Sequence, residues 1–366
     1  MGKKSVTKNY IYNLIYQLSI LVLPLITTPY ISRVLGAENI GIYSYTLSIS
    51  AYFILFGCLG TGLYGQREIA YCQNDKKRYS KVFWEIFFLR IVCLSISSIF
   101  YYYIILKDSE YQFFYKILLL EILANYIDIS WFFQGMEEFK KTVSRNLIIK
   151  LVSIISIFIF VKTKNDLNNY FYIYVFSVLL GNASLWLYLK KVLVKVRIKE
   201  INMIKHMKPT IILFIPQIAA QVYTLLDRTM LGIIIPGKAE VGYYDQSQKL
   251  IKMLLAVVTS LAPVMLTRIA NTFATGDKDK MNNYIYKSFN VIFILAFPII
   301  FGVISVSKVF VPIFFGEGYN KVSILMNIIS PIILFIGISS VTRNAIFTPN
   351  KKTKRIHYIN YYWGNS

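Results

Sequence analysis

The sequence predicts an all-α integral membrane protein of about ten transmembrane helices in two parallel-repeat bundles, the second incomplete. Three observations predict it. Of 366 residues, 56% are hydrophobic and only 16% charged, too apolar for a water-soluble domain. Apolar runs of ~20 residues recur along the chain, each long enough for a hydrocarbon layer of ~30 Å. The Lys and Arg residues gather in alternate connections between these runs. In lipid the backbone must satisfy its own hydrogen bonds, so the runs read as helices.

The spans fall near 10–31, 42–60, 82–104, 112–133, 147–161, 170–189, 210–227, 243–266, 288–306 and 321–341. The first follows Lys3 and Lys4 but runs well past a signal-peptide core and has no A-x-A site, so it reads as a span. One set of connections holds Lys3, Lys4 and Lys8, the segments 61–81, 134–146, 190–209 and 268–287, and the tail from 343. The other holds Arg33, Lys107, Lys116, Lys162, Lys164, Arg228, Lys238, Lys308 and Lys321. The first set has a roughly threefold excess of Lys and Arg, which places it and both termini in the cytoplasm. The formal net charge of +22 belongs to these short loops and does not point to nucleic acid.

Segment 190–209, KKVLVKVRIKEINMIKHMKP, is the most basic linker and divides the chain. A six-helix bundle over 1–189 precedes it, and a four-helix bundle over 210–343 and a cytoplasmic tail over 344–366 follow. Three weak matches recur in order about 200 residues apart: RVLGAENIGIY with RTMLGIIIPGKAEVGYY, REIA with RIA, and FKKTVSR with NKKTKR. They indicate halves related by an axis along the membrane normal. On this reading the second half lacks at least two helices, with a frameshift or premature stop as the expected cause and a naturally short variant as the alternative.

Ionisable groups at membrane depth are costly and are therefore the default functional candidates. The fourth span carries Glu121, Asn125 and Asp128 on one face, their spacings being four and three. Such an acidic face suits a coupling H⁺ or Na⁺. Arg90, on the third span, lies at the depth of Asp128 and can pair with it, whereas Glu121 has no depth-matched partner. The seventh span places Gln217, Gln221, Thr224 and Arg228 on one face, and the eighth places Asp245, Lys249 and Lys252. These stripes suit a polar cavity that accepts an anion, with Arg bidentate to phosphate and Lys a point charge; snorkelling to the interface is the alternative. Asn13, Gln17, Pro24 and Thr28 form a polar seam on the first span, serving packing or substrate contact. Lys150 reads as snorkelling inward.

No catalytic signature is present. Gly316-Glu317-Gly318 is a turn, not a phosphate loop. Cys58, Cys72 and Cys93 lack metal spacing, and His206 and His357 lie in charged segments. No cofactor is expected, and any pumping must use an ion gradient, lipid asymmetry or consumption of the product.

Four stretches resemble the polysaccharide-repeat-unit flippases, the Wzx-like family of the multidrug/oligosaccharidyl-lipid/polysaccharide exporter superfamily. They are YNLIYQLSILVLPLITTPYISRVLGAENIGIYSYTLSI at 12–49, GQREIAYCQNDKKRYSKVFWEI at 65–86, WFFQGMEEFK at 131–140 and LLDRTMLG…EVGYYDQSQKLIKM at 225–253. The resemblance implies two six-helix bundles around a cavity that alternates between faces. It implies transport of undecaprenyl-diphosphate-linked oligosaccharide from the inner to the outer leaflet of a bacterial cytoplasmic membrane, for capsule or exopolysaccharide. Membrane lipids, a glycan polymerase and a chain-length regulator are the implied partners. Arg90, Arg228, Lys249, Lys252, Gln217 and Gln221 become candidates for substrate contact, and Glu121 and Asp128 for ion coupling. Family members usually continue past a loop like Pro349-Asn350-Lys351-Lys352 into at least two more spans. A drug/cation antiporter of the same superfamily, a membrane glycan polymerase or acyltransferase, and a non-functional remnant are the competing readings. The cationic stripes disfavour the first, and the short outer loops disfavour the polymerase.

Overall fold

The computed structural model describes residues 6–106, 110–189, 192–260 and 277–342, with 265, 269 and 272 between them. The expected tail over 344–366, Lys3, Lys4, Lys107 and most of residues 261 to 276 lie outside these residues, as do the side chains of Asn13 and Gln17. Twelve α-helices are described: α1 (Val6–Cys58), α2 (Thr61–Cys72), α3 (Lys76–Tyr101), α4 (Gln112–Tyr126), α5 (Ser130–Gly135), α6 (Phe139–Phe160), α7 (Leu167–Leu189), α8 (Met207–Ile234), α9 (Ala239–Thr259), α10 (Lys278–Phe315), α11 (Asn320–Ile329) and α12 (Ile332–Thr342).

Their boundaries follow local chemistry. Asp75 caps α3 by accepting from the amides of Lys77 and Arg78 at 3.1 and 3.0 Å. Asp277 does the same for α10, accepting from the Lys280 amide at 3.0 Å. Asp166 closes a capping box with Thr163 just before α7. Gly36 interrupts α1 with φ 78° and ψ 167°, a left-handed conformation that glycine adopts without a Cβ penalty. The break falls between the first two expected spans.

Seven described helical stretches are long and apolar enough to cross a membrane, or up to eight if the bent halves of α8 count as one span. The difference from ten arises in two places. The first two spans fuse in α1 and are counted once, from Val22 to Cys72. The eighth corresponds to α9, whose Asp245, Lys249 and Lys252 make it too charged to register as apolar.

The exterior suits a bilayer. Ile155, Ile159 and Phe160 of α6 are 58%, 52% and 58% exposed, and Ile294 and Ile313 of α10 are 69% and 67% exposed. Water would penalise such surfaces at about 25 cal/mol per Å², whereas lipid does not. The described chain is thus a multi-pass α-helical membrane protein.

Two compact units are formed, Met1–Lys238 and Ala239–Ser366. In the first, α4 packs on α7, α1 on α3, α2 on α5, and α8 on α1 and α2. Its centre is aromatic: Trp131, Phe132 and Phe83 are at most 1% exposed, and Phe83 stacks on Trp131 at 5.5 Å between ring centroids. In the second, α9, α10, α11 and α12 pack together. By compactness α8 falls with the first unit, whereas the linker-based division sets it with the second bundle.

Candidate functional site

α4 ends in a half-buried stretch, Asn125 to Asp128, where its last carbonyls are left without intrahelical partners. Side chains from two neighbouring helices supply the donors. Asn182 Nδ2 donates to the Ala124 carbonyl at 2.9 Å, and Trp186 Nε1 to the Ile127 carbonyl at 2.7 Å, both from α7. Arg90 Nε, from α3, donates to the Asn125 carbonyl at 3.0 Å. A cation at a helix C-terminus also meets the negative end of its dipole.

Arg90 Nη2 pairs with Asp128 Oδ2 at 3.2 Å, so the residues matched by depth do meet. Asp128 Oδ1 accepts from the Ser130 amide at 2.9 Å, fixing the start of α5. Arg90 is 3% exposed. Its guanidinium is taken up by the Asn125 carbonyl at the end of α4 and by Asp128.

Glu121 sits one turn earlier on α4 and is 8% exposed. Its Oε1 accepts from the Tyr174 hydroxyl of α7 at 2.6 Å. Its Oε2 is buried and has no hydrogen-bond partner. Asn125 turns back to donate to the Glu121 carbonyl at 3.0 Å. The predicted acidic face therefore splits: Asp128 is neutralised by Arg90, while Glu121 retains an oxygen able to take up a proton or a small cation. Among the described residues no group of three or more His, Cys, Asp or Glu is placed to hold a metal ion.

On α8, Gln217 is half-buried and its Oε1 has no hydrogen-bond partner. Gln221 is exposed, and Arg228 is half-buried one face-length beyond. In the second unit, Lys249 Nζ pairs with Asp245 Oδ2 at 2.8 Å, one helical turn away. Asp245 is 3% exposed at its side chain and Lys249 35%, so the pair presents its cationic end outward. Lys252, three residues on, is exposed.

Sequence reasoning missed Tyr174, Asn182 and Trp186, whose roles depend on which helix neighbours α4. It also missed Glu85, a charged residue within an apolar span, and its partner His206. The rule that singled out Glu121 applied equally to Glu85.

Apolar helices of membrane-spanning length, carrying ionisable groups within them, define a multi-pass α-helical membrane protein. A sequence profile described as polysaccharide biosynthesis protein matches residues 6–273, and the chain belongs to that family, within which it is Wzx-like. A second profile, MatE, matches residues 213–362. A protein of Escherichia coli (strain K12) named "Putative O-antigen transporter" is 28% identical over 347 residues, 93% of this chain and 83% of that protein. A namesake from Shigella dysenteriae is 25% identical over 354 residues, 92% of this chain and 84% of that one. The solved structure of the lipid II flippase MurJ, in an inward closed conformation, shares the fold with a TM-score of 0.73. It is 15% identical, with 96% of this chain and 78% of that chain covered. These relatives bear transporter and flippase names rather than enzyme names.

Proposed function

We propose that this protein is a flippase that moves lipid-linked oligosaccharide repeat units from the inner to the outer leaflet of a bacterial cytoplasmic membrane. The family match over residues 6–273 carries the reading, and the relatives named as O-antigen transporters support it. The substrate class is an undecaprenyl-diphosphate-linked oligosaccharide. Lys249, Lys252 and Arg228 suit its phosphates, and Gln217 and Gln221 suit its sugars. Glu121 is the candidate for H⁺ or Na⁺ coupling. Both termini are cytoplasmic by the distribution of Lys and Arg. The glycan served is O-antigen, capsule or exopolysaccharide, and deletion of the gene identifies it by which polymer leaves the cell surface.

Replacing both Lys249 and Lys252 by Gln tests the substrate assignment. Surface-glycan export should fall to background while the protein's membrane level stays normal. Full export by the double variant would overturn the role of this stripe.

The match to MatE over residues 213–362 favours a second reading, a drug/cation antiporter. Drug resistance conferred by expression, without any effect on surface glycan, would decide for it.

A further inference from the structure

The linker entering α8 is held by a buried charge. Glu85, about 13 Å along α3 at 1.5 Å per residue, is 0% exposed. Its Oε1 accepts from the Asn202 amide at 2.9 Å and from Lys205 Nζ at 2.9 Å. Its Oε2 lies 2.7 Å from Lys205 Nζ and 3.0 Å from His206 Nε2. His206 is 4% exposed, and its Nδ1 is 2.7 Å from the Tyr64 hydroxyl of α2. The His206 carbonyl accepts from Thr210 Oγ1 at 2.6 Å, the first turn of α8. Upstream, the Tyr79 hydroxyl donates to the Val192 carbonyl at 3.0 Å, and the Val194 amide donates to Ser80 Oγ at 3.1 Å. The linker is thus tied along α3 at two places and to α2 at a third.

Leaving a carboxylate without water is expensive unless several donors reach it. Among the described residues every donor that reaches Glu85 comes from the linker: one amide, one ammonium and one imidazole within five residues. A carboxylate needed only to stabilise α3 would draw its donors from neighbouring helices, as Arg90 and Asn182 supply the end of α4. The sequence of the linker, by contrast, reads simply as a basic surface segment.

We propose that Glu85 anchors the linker and is the pivot about which α8 moves. The anchor fixes the residue immediately before α8, the helix carrying Gln217, Gln221 and Arg228. A helix that turns its stripe from one face of the membrane to the other needs one end held. The role in transport rests on the flippase reading; the anchoring itself does not.

Limited trypsin digestion of the purified full-length protein tests the anchor. Lys195, Arg197 and Lys199 are exposed sites in the linker, and exposed Lys280 serves as the internal control. Glu85→Gln should speed linker cleavage by about tenfold or more, the range for losing hydrogen bonds to a charged group. His206→Gln, which changes the linker rather than the span, should act in the same direction. The double variant should be cut no faster than the faster single variant, because both act on one knot. Cleavage at Lys280 should not change. Unaltered linker cleavage in both single variants, or effects that multiply in the double variant, would overturn the anchor.

Surface-glycan export by Glu85→Gln cells is the second arm, and it should drop at an unchanged membrane level. A loosened linker with full export would overturn the pivot. A loosened linker in a protein whose wild type exports no glycan would support the anchor and overturn the flippase reading.

Discussion

The Tyr174 hydroxyl donates to Glu121 Oε1 at 2.6 Å across the α4–α7 interface, and the second carboxylate oxygen, Oε2, is buried without a partner. One oxygen is thereby positioned and the other is left with unused capacity. That asymmetry distinguishes Glu121 from Asp128, whose two oxygens meet Arg90 and the Ser130 amide.

If Glu121 couples transport to an ion, Glu121→Gln should abolish most export while leaving the protein folded, since Gln keeps the Tyr174 contact but cannot exchange a proton or balance a cation. Tyr174→Phe should weaken export less, because the carboxylate survives. Export measured with sodium removed, and separately with a protonophore, identifies the ion. Normal export by Glu121→Gln would remove this residue from coupling.

Arg90 and Asp128 should behave as a structural pair. Arg90→Ala leaves the Asp128 carboxylate without its counter-charge and the Asn125 carbonyl without its donor, and breaking a buried pair from one side costs about 3–5 kcal/mol. Adding Asp128→Ala should restore part of that loss, but not all, because the Asn125 carbonyl remains without its donor. Thermal unfolding of the detergent-solubilised variants checks the order: wild type, then double, then single.

Gly135 should resist even a methyl group. A Cβ there would lie 2.6 Å from the backbone oxygen of Gln66 and 2.8 Å from Ile69 Cβ. Backbone on α2 cannot swing aside, so Gly135→Ala should destabilise by about 1–3 kcal/mol through overpacking. At Gly62 nothing lies within 4 Å of the same Cβ. Gly62→Ala should be neutral or slightly stabilising, since Ala is favoured over Gly in a helix by up to ~1 kcal/mol. Unfolding midpoints of the two variants provide the comparison.

The WFFQG stretch shows how a legible motif can hide its physical meaning. Its resemblance to the family was visible in the sequence. Its task is packing: Trp131 and Phe132 fill the centre of the first unit, and Gly135 lets α5 touch the backbone of α2. Periodicity alone could not separate a core residue from one facing a substrate, because both sit on a helix face turned from lipid.

What the sequence determined was the solvent. Runs of apolar residues as long as a bilayer is thick, punctuated by Lys and Arg, leave helices in lipid as the only satisfied backbone. It also determined that Arg90 and Asp128 could meet, because depth along two antiparallel spans follows from counting residues. The tertiary structure decided which helices stand side by side, and so which buried charges are answered. Tyr174 reached Glu121 across 53 positions of chain and His206 reached Glu85 across 121. Such pairings depend on lateral neighbours in the bundle, and a one-dimensional pattern of polarity carries depth but no lateral order.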